Sequence, residues 1–172
     1  AITGAGGGIG SATARQLARA GYQLALSDVD AVMVEELAAS LRADGVVVTT
    51  RSVDVADPVA LDAWAGQVVA DHGGVDVLIN NAGVEAGAKT YTMIEEEDWD
   101  AVFDTNLKSV WRLSKMYTQA VVDGGRAQGN IINIASITAY RTIKGQFPYA
   151  VSKAALVKAT EILALEAARF GI

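Results

Sequence analysis

Short apolar segments alternate five times with longer segments of good helix formers along this chain. Such alternation is typical of strands that each lead into a helix. Between the fourth and fifth apolar segments, residues 84–97 are polar and predict a loop. The pattern predicts strands at 1–3, 22–27, 46–50, 75–79 and 130–135, and helices at 11–20, 32–43, 58–71, 98–121 and from 148 onward.

This order of elements predicts an α/β fold. Strands separated by helices form a parallel sheet with right-handed crossovers, so we expect a doubly wound sheet of the Rossmann type with helices on both faces, in three αβα layers. At 172 residues, a single domain spanning 1–172 is the simplest organisation. Ligands bind outside the carboxyl ends of the strands in such sheets. The residues that follow each strand are therefore the first candidates for a site.

Composition excludes several classes of function. The formal net charge is −6 and no basic block is present, which argues against nucleic acid as a partner. No apolar run is long enough to span a bilayer, so no membrane partner is expected. The chain has no cysteine, which fits a cytoplasmic, reducing location. Its single histidine, His72, has no cluster of ligands around it, and we expect no metal site.

A glycine-rich run, residues 4–10, joins the first strand to the first helix. Glycines at such a junction permit a tight turn and let backbone N–H groups approach a phosphate at the positive end of the helix. The usual dinucleotide fingerprint G-x-G-x-x-G is not met, and Gly4, Gly8 and Gly10 instead have a G-x-x-x-G-x-G spacing. The run predicts a phosphate-binding turn, with a flexible loop as the alternative.

Asp28 ends the second predicted strand. An acidic side chain at this position can accept hydrogen bonds from a ribose diol. It would repel a 2′-phosphate, and no Lys or Arg lies in the glycine run or just after Asp28, so we expect NAD rather than NADP. The alternative is that Asp28 is only a helix cap.

The third and fourth strands are also followed by small or polar residues. Asp54 and Val55 come after the third strand, where they can touch an adenine ring or simply form a turn. Residues 80–83 (Asn-Asn-Ala-Gly) come after the fourth strand, and their small side chains would admit a cofactor close to the backbone. A tight turn is the alternative there.

Tyr149 and Lys153 are four residues apart on the last predicted helix, which Pro148 begins. This spacing puts both side chains on one face of the helix. A free phenol has a pKa of about 10, and a neighbouring ammonium favours the phenolate form. The pair can therefore transfer protons, although the spacing alone also fits an ordinary amphipathic helix. Ser136 follows the fifth strand at the same edge of the predicted sheet.

Together these motifs resemble the short-chain dehydrogenase/reductase family. They occur in the order and with the approximate spacing found in that family, and the resemblance covers the whole chain. The residues that carry it are Thr3-Gly4-x-x-x-Gly8-Ile9-Gly10, Asn80-Asn81-Ala82-Gly83, Asn106, Ser136 and Tyr149-x-x-x-Lys153.

The resemblance implies a role for each of these positions. Tyr149 would be the general acid/base and Ser136 would orient the substrate oxygen. Lys153 would favour the phenolate and bind the nicotinamide ribose, and Asn106 would hold a water that links Lys153 to solvent. The cofactor-binding residues would be Gly4, Gly8, Ile9, Gly10, Asp28, Asp54, Val55, Asn81, Ala82, Gly83, Tyr149 and Lys153.

The implied activity is hydride transfer between NAD(H) and a secondary alcohol or ketone. The alternatives are a 3-oxoacyl-thioester reductase that uses NADPH, and a non-catalytic dinucleotide-binding protein or inactive fragment. The family also implies a homodimer or homotetramer. Its members continue past the Tyr–Lys helix with further strands and a substrate-covering segment. We therefore expect these 172 residues to be a portion of a longer protein that lacks most of its substrate-binding part.

Overall fold

The computed structural model describes residues 1–172 and contains a five-stranded parallel sheet with strand order β3-β2-β1-β4-β5. Every neighbouring pair of strands is parallel. The strands are β1 Ile2–Thr3, β2 Leu24–Asp28, β3 Val48–Ser52, β4 Val77–Asn80 and β5 Asn130–Asn133. The helices are α1 Gly8–Arg19, α2 Ala31–Ala43, α3 Pro58–His72, α4 Glu96–Phe103, α5 Ser109–Asp123 and α6 Phe147–Ala167.

Two hydrophobic cores cover the two faces of the sheet. Leu24 and Leu26 point to the core formed with α1 and α2, whereas Ala25, between them on β2, points to the core formed with α3 and α5. Successive side chains of a strand point to opposite faces, so a strand buried on both sides is apolar throughout. The prediction of a doubly wound, three-layer α/β fold is confirmed.

Local sequence explains where most helices begin. The side chains of Asp30 and Asp57 cap α2 and α3 by accepting backbone hydrogen bonds, and Pro58 occupies the first helical position of α3. Helix α1 begins at Gly8 without a side-chain cap, three residues before the predicted start. The observed strands are also shifted by up to two residues from the predicted ones. No helix is both long enough and apolar enough to cross a membrane.

The predicted helix at 98–121 is interrupted. Helix α4 begins at Glu96, inside the predicted 84–97 loop, where Glu95 and Asp98 form a capping box. Residues Asp104–Lys108 then form a π-helical turn, and α5 follows it directly from Ser109. Such turns insert one extra residue into a helix and are frequent at functional sites. Asn106 is completely buried in this turn, as discussed below.

A tyrosine hydroxyl joins the amino ends of β4 and β5. The Tyr117 hydroxyl donates a hydrogen bond to Asp76 O (2.7 Å) and accepts one from Asn130 N (2.8 Å). Burial raises the pKa of Tyr117, so the hydroxyl stays protonated and able to donate. A Cβ added to Gly129 would collide with this hydroxyl, which explains the glycine there.

We predict that Tyr117→Phe lowers the free energy of unfolding by about 1–3 kcal/mol, because it leaves the Asp76 carbonyl and the Asn130 amide without their partner. Urea denaturation followed by circular dichroism measures this change. A Tyr22→Phe variant is the control, since Tyr22 is exposed and its hydroxyl makes no hydrogen bond within the chain. Equal stability of the two variants would contradict the prediction.

Candidate dinucleotide and proton-transfer site

The carboxyl ends of β1 and β4 meet at the centre of the sheet. The winding reverses between these adjacent strands, and ligands bind at this switch point in doubly wound sheets. The Asn81 side chain joins the two strand ends, since its Nδ2 donates to Thr3 O (3.0 Å) and Gly4 O (2.8 Å). The Thr3 hydroxyl in turn accepts from the N–H groups of Asn81 and Ala82. The glycine turn and residues 80–83 are thus held together as one unit.

Close backbone packing explains two of the glycines. Gly4 has φ +61°, and a Cβ there would lie 2.8 Å from Ala82 Cα. At Gly10, a Cβ would collide with Gly4 O and lie 2.8 Å from Ala5 Cα. Packing does not explain Gly8, because a Cβ there would have no protein atom within 4 Å.

The start of α1 offers free hydrogen-bond donors. No side chain caps this helix, no acidic residue lies in its first turn, and the N–H groups of Gly8, Ile9 and Gly10 have no acceptor within the chain. Unpaired N–H groups at a positive helix end bind anions such as phosphate. These donors and the glycine cradle fit the pyrophosphate of a dinucleotide.

Asp28 is fixed by the glycine turn. Its Oδ2 accepts from Gly6 N (2.8 Å) and its Oδ1 from Asp30 N (3.0 Å). An ionised carboxylate can accept about four hydrogen bonds, so two acceptor positions remain for ribose hydroxyls. The structure also places Arg51 at this edge, in register with Ser27 on β2. Because paired residues share a face, the Arg51 side chain lies on the face opposite to that of Asp28.

Asp54 and Val55 are less suited to direct binding than the glycine turn. The Asp54 carboxylate accepts from Ala56 N (2.9 Å), which makes it a turn aspartate. Val55 is only 7% exposed and packs in the core with α3 and α5. Any contact of Val55 with an adenine would therefore use its backbone rather than its side chain.

Lys153 is buried beside Tyr149. Its Nζ lies 5.8 Å from the centroid of the Tyr149 ring and donates to Ile134 O at 2.7 Å. No carboxylate forms an ion pair with it. Burial therefore lowers the pKa of Lys153 below its ordinary value. Tyr149 remains partly exposed, so the phenol can meet a substrate while the ammonium stays inside.

Asn106 connects three segments around Lys153. Its Oδ1 accepts from Val84 N (2.8 Å), and its Nδ2 donates to Val84 O (2.9 Å) and to Ser152 Oγ (3.0 Å). Ser152 Oγ donates to Tyr149 O. A Cβ on Gly83 would lie 3.4 Å from Lys153 Nζ and 3.3 Å from Asn106 Oδ1, so Gly83 adjoins both side chains. The proposed water relay through Asn106 stays a prediction.

Ser136 stands at the head of a short 3-10 helix, Ile137–Ala139, which packs on α6. Its Oγ accepts hydrogen bonds from Thr138 N (3.2 Å) and Thr138 Oγ1 (2.9 Å). With two donors already directed at this oxygen, the Ser136 hydroxyl hydrogen is free to point to another acceptor. This arrangement is suited to orienting a substrate oxygen.

An aromatic group borders the start of α6. Phe147 is 48% exposed and packs against Tyr91 and Trp99, with ring centroids at 6.3 and 6.0 Å. On this side of the site, Lys89 forms an ion pair with Asp98 and a β-bridge with Gln146. Gln146 and Phe147 directly precede Pro148 and Tyr149 in the sequence, which gives no sign of these partners.

A sizeable apolar cavity lies elsewhere, between α3 and α5. It has a volume of about 660 Å³ and is lined mainly by apolar side chains such as Trp64 and Leu113. None of the predicted site residues lines it. Volume alone would favour this cavity, but the free N–H groups, the glycine cradle and the buried lysine all lie at the carboxyl edge of the sheet. We place the candidate site there.

Sequence reasoning missed several residues that build the site. Gly6 donates to Asp28, the Thr3 hydroxyl receives two N–H groups, and Ser152 joins Asn106 to α6. Thr3 and Gly6 lie inside the glycine motif of residues 3–10. The hydroxyl of one and the small size of the other could therefore have indicated a role in the site. Ser152 had none, because a serine in a helix is ordinary until its neighbour Asn106 is located.

This strand order, with a glycine turn at the switch point, defines a Rossmann-type α/β protein. The sequence model of the short chain dehydrogenase family matches residues 1–172 of this chain. The chain belongs to the short-chain dehydrogenase family of oxidoreductases, as the sequence motifs indicated.

Relatives and solved structures agree with this assignment. Probable oxidoreductase EphD of Mycobacterium tuberculosis is 36% identical over 172 residues, covering 99% of this chain and 28% of the relative. A putative ketoacyl reductase of the granaticin polyketide synthase of Streptomyces violaceoruber is 39% identical over 171 residues, covering 99% and 62%. The chain thus spans less than two thirds of either relative.

Two solved structures are closely similar in fold. NAD+-bound xylitol dehydrogenase has 32% identity and a TM-score of 0.93, covering 99% of this chain and 65% of that one. A metagenomic short-chain oxidoreductase in complex with NADP has 30% identity and a TM-score of 0.92, covering 99% and 75%. Relatives with either coenzyme therefore share this fold.

Proposed function

We propose that the protein transfers hydride between NAD(H) and a secondary alcohol or its ketone, with Ser136, Tyr149 and Lys153 as the proton-transfer site. The observation that carries this proposal is the burial of Lys153 beside a partly exposed Tyr149, with no carboxylate to neutralise the ammonium. A buried cation that stabilises a phenolate prepares the tyrosine to accept a proton.

Each residue has a distinct part in the proposed reaction. The nicotinamide, when bound, supplies the hydride chemistry. The free N–H groups at Gly8–Gly10 hold the pyrophosphate, and Ser136 donates a hydrogen bond to the substrate oxygen. In alcohol oxidation Tyr149 takes the hydroxyl proton, and in ketone reduction it returns a proton to the same oxygen. Asn106 fixes α6 through Ser152 and thereby the position of Tyr149.

The Asp28 carboxylate supports NAD as the coenzyme, because its charge lies where an adenosine ribose would be bound. We predict that Asp28→Asn lowers the ratio of kcat/KM for NAD to that for NADP by roughly tenfold, the effect of removing one charge a few ångströms from a phosphate. Steady-state kinetics with both coenzymes measure the ratio. Asp44→Asn is the control, since it removes the same charge at an exposed site after α2. An unchanged ratio in Asp28→Asn would contradict this role.

A second candidate is 3-oxoacyl-thioester reduction with NADPH. Residues 124–160 contain no Asp or Glu, although the chain as a whole is acidic. Arg141 and Lys144 lie exposed between Ser136 and Tyr149 and form no ion pair. Such free cations suit the phosphates of a thioester carrier. The ketoacyl reductase relative also favours this candidate.

One substrate panel tests both candidates. The protein at its natural length is mixed with NAD or NADP and with secondary alcohols, polyols and 3-hydroxyacyl thioesters, and coenzyme reduction is followed at 340 nm, the absorbance of reduced nicotinamide. The main proposal expects turnover of a simple alcohol or polyol with NAD. Turnover of thioesters alone with NADP would favour the second candidate. Coenzyme binding without any turnover would favour the non-catalytic alternative.

Assembly and location are also proposals. A homodimer or homotetramer agrees with the exposed apolar side chains of Trp111 on α5 and Leu165 on α6, which are 53% and 82% exposed. Sedimentation of the natural-length protein tests it. The cytoplasmic location rests on the lack of cysteine and stays a prediction.

A further inference from the structure

A chain of side-chain hydrogen bonds runs from β4 through β5 to α6. Asn80 Nδ2 donates to Asn133 Oδ1 (2.8 Å), and Asn133 Nδ2 donates to Thr160 Oγ1 (2.9 Å). Thr160 Oγ1 then donates to Leu156 O (2.7 Å) within α6. Asn80 is only 3% exposed. We call these three residues, Asn80, Asn133 and Thr160, the polar ladder.

The α6 end of the polar ladder fixes which groups donate and which accept along its hydrogen bonds. The Thr160 hydroxyl has one hydrogen, which it gives to Leu156 O, so towards Asn133 it can only accept. This orients the Asn133 amide and turns its Oδ1 towards Asn80. At the other end, Asn80 Oδ1 is buried without a donor. The orientation of the whole ladder therefore depends on Thr160.

Both halves of the candidate site adjoin the polar ladder. Asn81, next to Asn80, binds the glycine turn through Thr3 O and Gly4 O. Ile134, next to Asn133, accepts the hydrogen bond of Lys153 through its carbonyl. Thr160 lies on the same helix as Lys153, about two turns further along. Helix α6 is thus attached to the end of β5 at two points, Lys153 and Thr160.

We propose that Asn133 and Thr160 are positioning residues that hold α6 against β5 and so keep Lys153 Nζ on Ile134 O beside Tyr149. The inference rests on the proposed proton-transfer role of Lys153 and Tyr149. Neither Asn133 nor Thr160 touches the reacting groups. They act by fixing the distance between the lysine and the phenol, on which the stabilisation of the phenolate depends.

Thr160→Val tests the ladder because valine keeps the shape of threonine and removes only the hydroxyl. We expect kcat for alcohol oxidation to fall roughly tenfold, the equivalent of one hydrogen bond's net energy. The acid limb of its pH profile should move to higher pH, because a displaced ammonium stabilises the phenolate less. Thr160→Ser keeps the hydroxyl and should restore both quantities.

Tyr117→Phe is a matched control for loss of stability. Like Thr160, the Tyr117 hydroxyl donates one hydrogen bond and accepts one, but it lies at the opposite, amino end of β4 and β5. A merely structural role of the ladder would give the two variants similar losses of stability and leave the pH profile of both unchanged. That result would overturn the proposal.

A second measurement does not depend on turnover. The pKa of Lys153 is followed by NMR of its ε-carbon in the coenzyme-free protein, with Lys153→Arg to assign the signal. In Thr160→Val this pKa should rise towards its ordinary value as the ammonium gains solvent, and in Thr160→Ser and Tyr117→Phe it should not move. If the wild-type protein oxidises no alcohol, this titration still tests whether the polar ladder positions Lys153. If Lys153 has the same titration curve in Thr160→Val as in the wild-type protein, the positioning role of Asn133 and Thr160 is refuted, even if the enzyme is active.

Discussion

Tyr149→Phe is expected to lower kcat by about a hundredfold to ten-thousandfold, the usual contribution of a positioned acid–base group. Phenylalanine keeps the ring beside Lys153 but has no oxygen to accept or return the substrate proton. The remaining rate would come from binding and orientation at Ser136 and the coenzyme. Stopped-flow or steady-state assays of the natural-length protein with its best substrate measure this loss.

The same variant should still bind NADH, because the glycine turn and Asp28 are untouched. Titration by NADH fluorescence checks this, and Tyr22→Phe, the same change at an exposed position far from the site, should keep full activity. Turnover of Tyr149→Phe within a few-fold of wild type would refute the proposed mechanism. Loss of NADH binding together with activity would mean that the phenol serves the fold of the site rather than proton transfer.

Gly10→Ala should strongly weaken NADH binding. The new Cβ would collide with the backbone at Gly4 and Ala5, and neither can move without opening the turn that Asn81 holds closed. We expect the dissociation constant for NADH to rise at least about tenfold and the free energy of unfolding to fall by about 1–3 kcal/mol, typical of overpacking. Fluorescence titration and urea denaturation measure the two effects.

Gly66→Ala provides the matched control. Gly66 lies within α3, where a Cβ would meet nothing within 4 Å, so alanine should leave NADH binding unchanged. It should also raise the free energy of unfolding by about 0.4–1 kcal/mol by restricting the unfolded chain. If Gly10→Ala binds NADH as well as Gly66→Ala does, the glycine turn is not the coenzyme cradle that we propose.

Much of the fold was predictable because its signals are local. Short apolar segments predict the strands, and Asp57–Pro58 and Gly73 mark the two ends of α3. Each of these signals acts within a few residues, and the structure agrees with them. The turn before α1 was predictable for the same reason, as a glycine run between a strand and a helix, and its binding of phosphate stays a prediction. Family membership followed from five such local signals in one order, and it is confirmed.

The parts that could not be predicted depend on distant partners or small changes of helix geometry. The π-turn at Asn106 shifts the helical period by one residue, which a periodicity of apolar residues does not detect. Val55 was expected beside the cofactor because it follows a strand, but only the path of α3 shows that its side chain is in the core. Likewise, Asn80 and Asn133 become a pair only when β4 and β5 are placed in register.

The bond between Asn81 and the glycine turn also has a consequence for biosynthesis. Asn81 and Thr3 are 78 residues apart, so the turn has no partner until much of the domain has left the ribosome. At about 5–20 residues per second, roughly 4–16 seconds separate the synthesis of the two segments. Contacts between segments so far apart also close late, because the loop between them must first lose its entropy. The nascent protein should therefore be unable to capture a nucleotide at the proposed site during this interval, although the glycine turn has already been made.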